Sequence, residues 1–203
     1  MERERHDTGR ELRGIVRINE EIKTVVATAG RVGLMAMNAI FLAKRAGQSA
    51  LGFGVLSNEL RGFALDLQKQ MNLLREMTHA SVTTVTALVK EARVTRLLER
   101  TRAESGAAGR AVIDACLHAH QGLGDARRRE QVAALHRRLA QAIADTTQLV
   151  ELGSVLARSA KIEAAYGGPF AASLMQVSSD FERTIAEIRR SLEQLVRQQD
   201  ADS

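Results

Sequence analysis

Apolar residues recur along this chain at alternating steps of three and four. Ile15, Ile18, Ile22, Val25, Ala29, Val32, Ala36, Ala39, Ala43 and Ala46 form the first row. Such spacing is the seam of a coiled coil, because it keeps one face of an α-helix turned toward a partner. Side chains in the row shrink from Ile and Val to Ala, so packed helices can approach closely near residue 46. The pattern breaks across 47–52, bounded by Gly47 and Gly52, and resumes at Phe53. A second row then runs through Leu60, Ala64, Leu67, Met71, Leu74, Thr78, Ser81, Val85, Leu88 and Ala92. It predicts a helix to about residue 103, on the order of 75 Å long at ~1.5 Å per residue. Two helices around a Gly turn make a hairpin, and glycine suits the turn because it reaches positive φ without strain.

Beyond this hairpin, Ser105–Gly109 is a break, Ala111–His120 is a short amphipathic piece, and Gly122–Gly124 is a second break. A third long helix is predicted from Ala126 to Tyr166, carrying Val132, Leu135, Leu139, Ile143, Leu149 and Leu156. Its seam is weaker, with Gly153 and Ala160 on it. Gly167-Gly168-Pro169 ends it, and proline fits the first turn of the next helix, where its missing N–H matters least. The fourth helix carries Leu174, Val177, Phe181, Ile185, Ile188, Leu192 and Leu195. The expected organisation is a charged flexible lead-in (1–11), a hairpin (12–103, tip 47–52), a base connection (104–125), a second hairpin (126–198, tip 167–169) and a polar tail (199–203).

The two hairpins align without a gap at a shift of 121 residues. Phe41 falls on Ile162, Ala43 on Ala164, Gly47 on Gly168 and Ser57 on Ser178. Leu60, Ala64, Leu67, Met71 and Leu74 fall on Phe181, Ile185, Ile188, Leu192 and Leu195. This reads as an internal duplication. The predicted fold class is all-α: an antiparallel four-helix bundle or coiled coil of two long hairpins, with both tips at one end. Short turns between antiparallel neighbours are the usual bundle topology. Pairing the hairpins buries both apolar stripes without a second chain.

Composition agrees. One Pro, no Trp, one Tyr and 3% aromatic residues fit long helices better than sheets. The start, Met1-Glu-Arg-Glu-Arg-His6, has no apolar core and is no signal peptide. No unbroken apolar run is long enough for a transmembrane segment, so none is expected. The single Cys116 excludes an internal disulfide and fits a reducing cytoplasm, the expected location. A formal net charge of +5 permits an acidic partner without requiring nucleic acid.

Candidate chemistry is sparse. Cys116 and His120 share a helix face and His118 does not, while His79 and His136 are scattered. No second ligand cluster completes a metal site, so no metal and no cofactor is expected. Arg127-Arg128-Arg129 and His136-Arg137-Arg138 make a basic stretch interrupted by acids, without aromatics for base stacking, and read as a solvated face. There is no phosphate loop, nucleophile elbow or His-Glu-x-x-His motif, so no enzymatic role is expected.

The stretch Leu34–Arg61 carries a longer pattern. Leu34, Ala36, Asn38, Ala39, Ala43, Arg45, Ala46, Gly47, Gly52, Phe53, Val55, Glu59 and Arg61 all fall on it without a gap. In these residues the chain resembles the tip of the cytoplasmic hairpin of bacterial chemoreceptors, the methyl-accepting chemotaxis proteins. Ile162-Glu163-Ala164-Ala165 in the second tip matches the same family at positions where the first tip has Phe41-Leu42-Ala43-Lys44. The first tip departs from the family at Leu42, Gln48 and Ala50-Leu51, and the second at Tyr166-Gly167. The resemblance implies a signalling protein whose tip contacts a chemotaxis histidine kinase and its coupling protein, in a homodimer or higher receptor-like assembly. Carried onto this chain, the implied contact residues are Asn38, Phe41, Leu42, Arg45, Gly47, Leu51, Phe53 and Glu59, with Glu163 and Tyr166 from the second tip. Phe41, Leu42, Leu51 and Phe53 are expected to form an exposed apolar patch. The alternative is a structural coiled-coil module for oligomerisation or scaffolding, without kinase contact.

Overall fold

A computed structural model describes residues 2–121 and 124–201. The side chains of 2–13, 15, 85, 88, 89, 92, 119–121, 124–129, 132 and 198–201 lie outside that description. The chain is all-α. Its helices are α1 (Glu2–Ala46), α2 (Leu51–Glu104), α3 (Ala107–Gln121), α4 (Gly124–Ala165) and α5 (Ala171–Ala201). A 3₁₀ turn, Gly47–Ala50, joins α1 to α2, and another, Gly168–Phe170, leads into α5. Among the described residues only Ser105, Gly106, Tyr166 and Gly167 stand outside a helix, and there is no strand.

The helices extend further than the sequence pattern predicts. Helical backbone begins at Glu2, within the expected flexible lead-in, and continues to Ala201, within the expected tail. Helix α2 starts at Leu51 instead of Phe53, and the break before α3 narrows to Ser105 and Gly106. Gly109 sits inside α3, where a single glycine weakens a helix without stopping it. The expected break at Gly122–Gly124 falls at 122–123, outside the described residues.

The seams form the core. Ile22, Val25, Ala29, Val32, Ala36 and Ala39 on α1 are fully enclosed, as are Leu60, Leu67, Met71 and Leu74 on α2. Leu174, Phe181, Ile185, Ile188, Leu192 and Leu195 do the same on α5. Helix α4 contributes smaller groups, Ala157, Ala160 and Ala164, with Leu139, Ile143 and Val150 nearer its start. Of the predicted seam positions, Ile15, Val85, Leu88, Ala92 and Val132 have side chains outside the described ones. Helix α1 packs on α2 and α5, and α4 packs on α5 and α2.

Small and large residues interlock at these contacts. Gly153 of α4 lies against the ring of Phe63 on α2: a Cβ there would fall 2.6 Å from Cζ. The weak spot in the third seam is thus a socket for an aromatic ring. Buried hydroxyls are satisfied within their own helices. Ser57 donates to the Phe53 carbonyl at 2.7 Å, and Ser178 to the Leu174 carbonyl at 3.0 Å. These i−4 bonds let polar residues sit on a seam without an unpaired donor.

By length and composition alone, one stretch within Val16–Thr84 is apolar enough to cross a membrane, with an 18-residue window of mean hydropathy 1.6. Only 33% of that window is buried, so much of its apolar character faces outward.

Candidate interaction site at the turn end

Both turns rest on a glycine in the left-handed region. Gly47 has φ 69° and Gly168 has φ 54°, and no non-glycine residue among those described has positive φ. The two turns lie side by side. A Cβ built on Gly168 would stand 3.9 Å from Cβ of Ser49. Ser49 in turn donates its hydroxyl to the Ala46 carbonyl at 3.0 Å, closing the first turn onto the end of α1. Glu163, near the end of α4, lays its carboxyl against Gly52 in the first turn of α2, where a Cβ would fall 2.6 Å from Cδ. Side-chain space at Gly52 is therefore occupied by Glu163, and acidic groups are favoured at a helix start.

These contacts gather the sequence-predicted residues at one end, but not all on its surface. Phe41 and Leu51 are each 60% exposed, and Tyr166 is 72% exposed. Asn38, Arg45, Gly47 and Glu59 are also exposed. Leu42 is half-buried and packs on the core, and Glu163 is half-buried against α2. Phe53 corrects the expectation of an exposed patch: it is 0% exposed and belongs to the core. The reason is its phase. Counting back from Leu60 by three and four gives Ser57 and Phe53, so the α2 seam runs to the first turn of the helix.

Several exposed apolar side chains near this end are not among the implied contact residues. Leu34, Met37, Val55 and Leu65 are exposed in the first hairpin, and Val155 and Ile162 on α4. Leu34 and Phe41, seven residues apart, sit opposite the seam of α1, and Val155 and Ile162 take the equivalent places on α4. Apolar residues at the outward position of a heptad are the signal that would have found them.

Ion pairs tie the helices together around the site. Arg31 of α1 reaches Glu187 of α5 at 2.6 Å, and Lys161 of α4 reaches Glu182 of α5 at 2.6 Å. At the opposite end, Arg102 of α2 holds Asp114 of α3, with a second contact from Nη2 at 3.3 Å. The hydrogen bond from Arg102 keeps the Asp114 carboxyl below its ordinary pKa. A shallow apolar groove lined by Val150, Leu192 and Val196 lies between α4 and α5, away from the turns, with Arg189 and Glu151 paired at its edge.

The other candidate chemistry stays dispersed. Among the described residues no three His, Cys, Asp or Glu side chains converge to hold a metal ion. Cys116 and His118 are exposed on α3, while His120 and Arg127–Arg129 lie outside the described side chains. Comparisons of this chain with protein-family models, curated proteins and solved structures found no match.

Proposed function

We propose that this chain is a chemoreceptor-like signalling module that contacts a chemotaxis kinase and coupling-protein complex through its turn end, in the cytoplasm. Its finer architecture in this reading is a single-chain antiparallel four-helix bundle. Helices α1–α2 and α4–α5 supply the two hairpins that a receptor dimer draws from two chains. The observation that carries the reading is the pair of matched turns, Gly47 and Gly168, both left-handed and lying against each other. Around them Phe41, Arg45 and Leu51 stand exposed on α1 and α2, whose seams are enclosed, and Tyr166 stands exposed in the turn after α4. A rigid end presenting aromatic, aliphatic and Arg side chains has the composition of a protein-binding hot spot.

The test is a titration with purified coupling protein. Arg45→Ala and Tyr166→Ala should each weaken binding about tenfold or more while leaving stability within about 1 kcal/mol. No measurable binding, or unchanged affinity in both variants, overturns the kinase-complex reading. That result favours the alternative, a coiled-coil scaffold, which requires the seams and not the turn end.

A further inference from the structure

The two hairpins share a core but only part of an outer surface. On α1, Gly30 faces Gln68 of α2, so the row Gly30, Met37 and Lys44 runs along α2. On α2, Gly54 faces Ala43, so the row Gly54, Arg61 and Gln68 runs along α1. Just outside these rows stand Leu34, Phe41, Leu51, Val55 and Leu65, all exposed. With Met37 they give the α1–α2 pair an apolar outer face, with Asn58 between Leu51 and Leu65. The residues 121 positions later include Arg158 for Met37, Ala172 for Leu51, Gln176 for Val55 and Ala186 for Leu65. Leu34 and Phe41 keep exposed apolar counterparts, Val155 and Ile162, but the Met37, Leu51, Val55 and Leu65 part of the face is missing from the second hairpin, which builds the same core, so core packing does not require that part.

The charges around the face are cationic. Lys44 and Arg61 lie in its two central rows, and Arg45 at its rim. None of the three forms an ion pair among the described residues. The nearby acids Glu59 and Asp66 share the α2 row of Gly52, which faces Glu163 on α4, and Asp66 is held by Lys69 at 3.1 Å. We propose that the outward face of the α1–α2 pair docks on an anionic lipid surface. Exposed Leu, Met and Phe side chains with unpaired Lys and Arg among them are what an interfacial helix presents to acidic headgroups. A second copy fits less well, because a two-fold axis through the patch sets Lys44 and Arg61 against their own counterparts. A spanning role fits less well too, because crossing would pull the enclosed α1 seam out of the core.

The experiment is flotation of the full chain with phosphatidylcholine vesicles, with and without phosphatidylglycerol, at low and high salt. Binding should be at least tenfold stronger with phosphatidylglycerol and should fall with salt. Met37→Ser with Leu65→Ser should abolish it, as should Lys44→Glu with Arg61→Glu, at unchanged helicity by circular dichroism. Arg158→Glu, on the outer face of α4, should leave it intact. Equal binding to neutral vesicles, absence of binding, or insensitivity to both double variants overturns the proposal, as does a stable dimer in which the same face is protected. None of these four substituted residues carries the proposed coupling-protein contact, so loss of lipid binding with coupling-protein affinity retained separates the two readings.

Discussion

Helices α1–α2 and α4–α5 solve one packing problem twice with different side chains. Where the two agree, the demand is backbone geometry and core volume: Gly47 and Gly168 both take positive φ, and Ala36 and Ala157, Ala39 and Ala160, and Phe53 and Leu174 are all fully enclosed. Where they differ, the residue serves a contact outside the repeat. Val32 has Gly153 as its counterpart because Phe63 needs the space. Leu42 has Glu163, whose carboxyl occupies the side-chain space at Gly52. Leu51, Val55 and Leu65 have Ala172, Gln176 and Ala186, which no core contact explains. Shared positions thus report the fold, and divergent ones report partners.

The largest expected effect tests the shared core. Phe53→Ala should cost about 3–5 kcal/mol and Leu174→Ala about 2–5 kcal/mol, because both leave cavities in enclosed sites. Urea unfolding monitored by circular dichroism measures both. A cost below about 1 kcal/mol for either would break the equivalence of the hairpins.

Next comes the socket at Gly153. Replacing it with Ala gains helix propensity but drives Cβ into the Phe63 ring. Overpacking of this kind costs about 1–3 kcal/mol, more than the roughly 1 kcal/mol gained. In a Phe63→Ala background the same substitution should become neutral or stabilising. Additive costs in the double variant would contradict the pairing.

The turns come third. Gly47→Ala and Gly168→Ala should each cost about 1–2 kcal/mol for placing a side chain in the left-handed region. Nothing crowds a Cβ at Gly47, so its loss is conformational alone. Similar losses at both positions sharpen the repeat, whereas a neutral change at either shows a turn that does not depend on its glycine.

The smallest effect lies at the corner where the first hairpin departs from the second. The Asp114 carboxyl is held below its ordinary pKa by Arg102, so its folded-state pKa is depressed. Its contribution is present above the unfolded carboxylate pKa and is lost as pH falls through the depressed one. Protection factors of the amides at the α2–α3 corner, corrected for the intrinsic exchange rate at each pH, should therefore fall in acid, and Asp114→Asn should remove that dependence. An unchanged acid profile in the variant would assign the effect elsewhere.

The seams made much of this legible in sequence. Steps of three and four located the enclosed faces of α1, α2 and α5, and glycine clusters located the turns within a few residues. Phe53 sits at a family position that the resemblance puts on the surface, but its heptad phase puts it on the α2 seam and in the core. The Gly153 socket was illegible because its reason, Phe63, sits 90 residues away on another helix. Of the outer face of α1–α2, Phe41 and Leu51 are legible as an exposed patch, whereas Leu34, Met37, Val55 and Leu65 are not, because the seam pattern leaves outward positions unassigned. Helical backbone runs into both charged ends, where Glu, Arg and Gln are good helix formers.

One crosslink tests most directly whether a single chain brings its two turns together. Ser49→Cys with Gly168→Cys, in a Cys116→Ser background, places two Cβ atoms 3.9 Å apart. A disulfide spans Cβ atoms about 3.5–4.5 Å apart. Mild oxidation followed by non-reducing mass analysis should give an intramolecular disulfide at the mass of one chain. Crosslinks found only between chains would contradict the account and show that the two turns meet across a dimer instead.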